Sequence, residues 1–234
     1  TVQGTAANPV VFTSFKDDTY GGDTNNDGDG SVPVPGDWGY VAVVSGATAT
    51  FDYARLQYGG VGGGTYPSLI QNIRGALTIR NSHLRHGYQY GIYSHEATLS
   101  VTTSALVHNG ADGIRLINQP AVVTGTLFAN NAGYGLYYTE YGAAEELVFC
   151  DNTFTNNGNY PLYISASSTG NFHTNPEWLR GNTGSGNAYD GIYFTGNITG
   201  TTTLIPQPGL PFIFASTVTI LNGQELEIVT VEAK

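Results

Sequence analysis

Leu84-Arg85-His86-Gly87-Tyr88-Gln89-Tyr90-Gly91-Ile92-Tyr93 is followed 22 residues on by Leu106-Val107-His108-Asn109-Gly110-Ala111-Asp112-Gly113-Ile114-Arg115. After another 22 comes Phe128-Ala129-Asn130-Asn131-Ala132-Gly133-Tyr134-Gly135-Leu136-Tyr137. The closing triplet recurs as Pro161-Leu162-Tyr163 and Gly191-Ile192-Tyr193, at further steps of 26 and 30. Two more columns keep pace: Leu84, Leu106, Phe128 and Phe154, and His86, His108, Asn130 and Asn156. Three columns in one register mark an internal repeat, and a period in this range belongs to a stacked repeat architecture.

Each unit alternates apolar and polar residues over short runs broken by Asn and Gly, and shows no helical periodicity. The fold class is therefore all-β: a parallel β-solenoid with coils of about 22 residues. At about 3.3 Å per residue one coil traces roughly 70 Å, and coils stack about 4.8 Å apart. Ile92, Ile114, Leu136, Leu162 and Ile192 are expected to stack inside. The alternate residues Tyr93, Arg115, Tyr137, Tyr163 and Tyr193 are expected to face out. The His/Asn column is expected at a turn, where Asn tolerates a left-handed backbone and bonds to its stacked neighbours. The longer steps call for outward loops at residues 140–146 and 167–187, the latter around Trp178.

Segments before residue 75 and after 198 are strand-like but less regular, so the whole of 1–234 reads as a single β-helix domain. Residues 1–74 form irregular early coils with an acidic loop at 17–37, residues 75–198 the regular coils, and residues 199–234 an association or capping segment. The glycine run 59–64 has neither the following helix nor the Lys of a phosphate-binding loop.

Charged residues make up 11% of the 234-residue chain, with 8 basic against 18 acidic and a net charge of −10. Such a surface does not neutralise a phosphate backbone, so nucleic acid is not an expected partner. No apolar run is long enough to insert in a membrane. The single cysteine, Cys150, excludes a disulfide framework and multi-cysteine metal sites, and sits in an apolar run as a buried hydrophobe. The composition suits an extracellular or cell-surface setting, where Asn197-Ile198-Thr199 is a glycosylation acceptor pattern. The absence of an initiator Met and of a leader fits a processed or excised chain.

The stretch Asn8-Pro9-Val-Val-Phe-Thr-Ser14, the acidic loop, Gly36-Asp37-Trp38-Gly39, Tyr53-Ala-Arg-Leu-Gln-Tyr-Gly-Gly60 and the Gly-Ile-Tyr units together resemble the right-handed parallel β-helix modules of large secreted prokaryotic surface proteins. Their architecture is that of the pectate-lyase-like superfamily. The resemblance implies the fold over almost the whole chain; such modules serve as adhesins, stalks, glycan binders and, in some relatives, catalysts. In the tandem proteins resembled, a stretch like 211–234 opens a module and one like 4–14 follows it. Association with self, head to tail, or with neighbouring modules is therefore expected, since open strand edges must be covered.

Residues 17–37 hold Asp17, Asp18, Asp23, Asp27, Asp29 and Asp37. Asp23, Asn25 and Asp27 stand at positions 1, 3 and 5 of a calcium-loop pattern with Gly28 at 6; the closing Glu is replaced by Val34. Calcium is the expected cofactor, with Asp17, Asp18, Asp29 and Asp37 as the further candidate ligands. The plainer alternative is a solvated acidic turn. The five histidines offer no third ligand at definite spacing, so His86 and His108 read as a turn ladder rather than zinc ligands. Asp112 and Asp190 precede equivalent Gly-Ile steps three coils apart, about 14 Å, which fits neither hydrolytic geometry. The expectation is a non-catalytic structural or adhesive protein. The alternative is a carbohydrate-binding module or a polysaccharide lyase or hydrolase, with the outward column and Tyr88, Tyr90, Tyr134, Tyr138 and Tyr160 forming a strip for extracellular glycans or protein.

Overall fold

In a computed structural model, described over residues 1–61, 64–141, 147–166, 179–198, 201–214 and 217–228, the chain winds through three parallel sheets in turn. Residues 142–146 and 167–178 of the two expected loops, with His173 and Trp178, lie outside the described residues, as do Gly62, Gly63, Thr199 and 229–234. The first sheet has six strands, from Val2–Gln3 to Leu147–Cys150. The second has seven, from Val10–Phe12 to Thr183–Ser185. The third has nine and starts at Val41–Val43. One regular coil is Thr98–Thr102, Ala105–Val107 and Ile114–Ile117, each strand paired in parallel with its counterpart one coil before and after.

Pairing runs at the sequence period, so the columns are ladders. Ile70, Ile92, Ile114, Leu136, Leu162, Ile192 and Phe212 are directly opposed along the third sheet. Leu56, Leu84, Leu106, Phe128 and Phe154 do the same in the second, with the Phe128 and Phe154 rings stacked at 4.9 Å. All five of the second sheet's residues are fully buried, and so are the third sheet's from Ile70 to Ile192. The earlier coils lack the Gly-Ile-Tyr signature because Leu69-Ile70-Gln71 takes its place; the inner residue is unchanged in character.

Alternation also corrects two expectations. With Leu136 inside, Tyr138 and Glu140 point inside too. Tyr138 is a fully buried core residue rather than part of the outer strip, and its hydroxyl donates to the carboxylate of Glu140. Glu140 ends the strand Leu136–Glu140 and is buried, rather than opening an outward loop.

The strands are short because single left-handed residues break them. Tyr53, Asn81, Thr103 and Asp151 turn the chain from the first sheet to the second; Tyr58, His86, His108, Asn130 and Asn156 turn it out of the second. The His/Asn column is thus the corner that was expected. It is not the hydrogen-bonding ladder, however: Asn130 and Asn156 are exposed, and the bonds are made one residue later. Asn109, Asn131, Asn157 and Asn187 are buried; Asn109 accepts the Gly87 N–H, and each of the other three accepts from the backbone N–H and side-chain amide of its predecessor. A left-handed residue swings its own side chain outward and the next one inward, where the corner's backbone groups need partners. A second buried ladder, Asn152, Asn182 and Gln207, serves the corner between the first two sheets.

The glycine of each triplet has a packing cause. A Cβ on Gly91 would lie 2.6 Å from the carbonyl oxygen of Gly113, and one on Gly113 2.6 Å from that of Gly135. No side chain fits where successive coils approach so closely.

Candidate functional site

The acidic loop connects the second-sheet strand Val10–Phe12 to the third-sheet strand Val41–Val43, at the N-terminal end of the stack. Two of its carboxylates fix it to the coils. Asp17 is buried and accepts from the hydroxyls of Thr13 and Thr19 and from Gln57 Nε2 at 2.6 Å. Burial pushes its pKa up, but these donors outweigh it and hold the carboxyl below its ordinary value. Asp37 accepts from Ser14 Oγ at 2.7 Å, Lys16 Nζ at 2.7 Å and the Val34 N–H at 2.9 Å, and is likewise held low against its own desolvation. Neither joins the cluster that the sequence pattern grouped them with.

One carboxylate oxygen from each of Asp18, Asp23 and Asp27 lies within 4.8 Å of the others. Asp23 accepts the N–H groups of Asp27 and Gly28 at 3.0 and 2.9 Å, and this wraps the loop around the Asp23 carboxylate. Asn25 donates through Nδ2 to Asp27 and Ser31, both at 2.9 Å. Its Oδ1 and the Oδ1 of Asp18 are buried atoms that accept no hydrogen bond. Local desolvation and then the charges of Asp23, Asp27, Asp29 and Asp17 raise the pKa of Asp18. Oxygen donors of this hardness, converging with two acceptors unsatisfied, fit a calcium ion. Asp18 joins Asp23 and Asp27 in the cluster, and Asp29 adds charge from outside it.

The outward column of the third sheet is a continuous stack. Tyr137 and Tyr163 lie 4.6 Å apart at 5°, and Tyr163 and Tyr193 4.5 Å apart at 8°. The Arg115 guanidinium sits 4.1 Å from the Tyr137 centroid. Tyr93 is only 3% exposed although it points outward, because Tyr66 covers it at 4.1 Å. Tyr134 and Tyr160 flank the stack at tilted angles. Desolvation, then neighbouring tyrosines, pushes the Tyr163 hydroxyl up to about 12.

A family model described as a right handed beta helix region matches residues 41–177, more than half of the chain. The chain belongs to this β-helix family. Comparison with curated proteins and with solved structures gave no match.

Within this β-helix the two aspartates before Gly-Ile steps have different tasks. Asp112 is buried, accepts from Arg115 Nη1 and the Tyr134 N–H, both at 2.9 Å, and has its pKa raised by burial against those two donors. Asp190 is exposed and closes the asparagine ladder, accepting from Asn187 Nδ2 at 2.7 Å and from the Gly186 and Asn187 N–H groups. His86 and His108 stack at 5.4 Å, and Tyr58 continues the stack at 5.2 Å. Among the described residues, the only convergence of three metal-ligating groups is the aspartate trio. The sequence reading missed Gln57 and Thr13 as anchors of the loop, which carry no pattern, and the inner asparagine column. That column repeats at 22, 26 and 30, so the same step count would have found it.

Proposed function

We propose that the chain is a non-catalytic extracellular structural β-helix that associates end to end, with a further copy or with a neighbouring module, and binds calcium in its N-terminal loop. The observation that carries this reading is the pair of open ends. The strands Val2–Gln3, Val10–Phe12 and Val41–Val43 each pair on one edge alone among the described residues, as does Glu225–Ile228 at the other end. Val10 and Val44 are exposed at the first end, and Ile220, Leu221 and Ile228 at the second. Unpaired edges beside exposed apolar side chains favour added strands, and a contact between unlike ends propagates without closing.

Two further observations support it. The two acids before Gly-Ile steps are engaged in structural hydrogen bonds, Asp112 across coils to the Tyr134 N–H and Asp190 within its own corner. The stacked tyrosines also have their ring faces turned on one another, so flat faces for a sugar ring are scarce and the column reads better as a cross-strand ladder.

The test is sedimentation across a concentration series, beside Val11→Pro. The Val10 N–H is bonded inward to Tyr53 O at 3.0 Å, so alternation turns the Val11 N–H to the open edge. Large species that grow with concentration and shrink in the variant support the reading. The companion measurement joins two copies in one polypeptide. Monomers at every concentration, together with joined copies that melt no higher than one, would overturn it.

A further inference from the structure

The outer face of the second sheet carries an unmatched pair of positive charges. Ion pairs among the described residues engage Lys16, Arg74, Arg80, Arg115 and Arg180, but neither Arg55 nor Arg85, although acids outnumber bases 18 to 8 in the chain. Arg55 and His83 are directly opposed on neighbouring strands, and Arg85 lies two residues along on the same face. Arg55 donates Nη1 to Tyr20 Oη at 2.7 Å, which fixes the guanidinium and leaves its other nitrogens unengaged. Arg85 donates Nε to Gln57 Oε1. The His83 imidazole makes no hydrogen bond within the described residues, and the residue is exposed.

Beside them is a cavity of about 190 Å³, lined by Thr5, Pro9, Tyr53, Arg55, Asn81 and His83 among others. Thr5 Oγ1 accepts the Asn8 N–H at 3.1 Å, so its own hydrogen remains to donate. The nearby carboxylates are committed: Asp52 to Arg80 and Asn81, Asp17 to Thr13, Thr19 and Gln57. The walls thus offer donors and positive charge, with no carboxylate facing in. We propose that this cavity is a binding site for a small oxyanion, a sulfate or carboxylate group held between the Arg55 guanidinium and the His83 imidazole, with Thr5 as a third donor. A guanidinium presents paired N–H groups that match two oxygens of such a group, and a guanidinium already fixed by Tyr20 loses little freedom on binding. The group can be a free ion or the substituent of an acidic glycan; the chemistry is the same.

His83 reports directly on the site. Partial desolvation and the charges of Arg55 and Arg85 now hold its pKa below the ordinary value. A bound anion reverses the sign of the nearest charge, so the pKa rises, by about one unit or more for a contact within a few ångström. The experiment follows the histidine ring resonances of the full chain by NMR across pH, in chelator, with sodium sulfate against sodium chloride at matched ionic strength. His83→Gln assigns the resonance. The expected result is a saturable rise at His83 with sulfate, lost in Arg55→Gln and retained in Arg74→Gln, whose arginine pairs with Glu96 elsewhere. A sulfated disaccharide acting at lower concentration than sulfate places the group on a glycan, and equal action places it as the free ion. The proposal is overturned by no saturable rise with either probe, or by a rise undiminished in Arg55→Gln.

Discussion

Asn130 and Asn131 are adjacent, identical in side chain and one coil from equivalent neighbours, yet they should respond to alanine in very different ways. Asn131 is buried; its Oδ1 accepts from the Asn109 N–H at 3.2 Å and Asn109 Nδ2 at 2.9 Å, and its Nδ2 donates to Leu106 O at 2.9 Å and Asn157 Oδ1 at 3.0 Å. Asn131→Ala strands two buried donors on Asn109 and weakens two acceptors. At about 1–3 kcal/mol for each stranded buried group, the loss is about 2–6 kcal/mol. Asn130 is exposed at φ 55, so Asn130→Ala exchanges a residue that tolerates the left-handed region for one that does not, at about 1 kcal/mol. Asn130→Gly should be close to neutral. Urea denaturation ranks the three variants, and hydrogen exchange localises the damage. In Asn131→Ala the Asn109 amide should exchange roughly 30-fold faster or more, whereas in Asn130→Ala it should stay within about tenfold of the wild type. Equal losses for the two alanine variants would refute the assignment of the ladder to the inner column.

Three further outcomes are expected. Calcium should raise the melting temperature, by about 2.7 kcal/mol of stability at a hundredfold excess over Kd. Asp27→Asn should abolish that gain, and Asp17→Asn should lower stability while leaving the response to calcium; a chelator-insensitive wild type would exclude the metal. His83 and His86 both have folded pKa values below the ordinary 6.5, chiefly through desolvation. The unfolded chain then binds more protons in the window below 6.5, so stability should fall as pH drops from about 7 toward 5. His86→Gln should flatten that slope in a pH series of melts. Tyr163→Ala removes ring stacking on both sides and should cost about 1–3 kcal/mol, at about 0.5–1.5 per pair, measured by denaturant midpoint.

Ile92, Ile114 and Leu136, with Leu84, Leu106 and Phe128, are legible in the chain because parallel stacking puts like on like. A period that survives in the sequence therefore becomes a ladder without any need to know the path between columns. Alternation within a strand is equally local, and it would have placed Tyr138 and Glu140 inside had it been carried from Leu136 to the end of the strand.

The corners and the loop obey no such rule. Whether Asn130 or Asn131 carries the ladder depends on which backbone turns left-handed, a choice made by the geometry of closing three sheets on one core. Of six aspartates in one loop, Asp17 and Asp37 are drawn to Thr13, Gln57, Ser14 and Lys16, while Asp18 is left with Asp23 and Asp27. Tyr93 faces out yet is dry because Tyr66 happens to lie over it. Partners distant in sequence meet only once the chain is wound, so composition and spacing determined the coil, and tertiary packing decided which of several identical side chains holds it together.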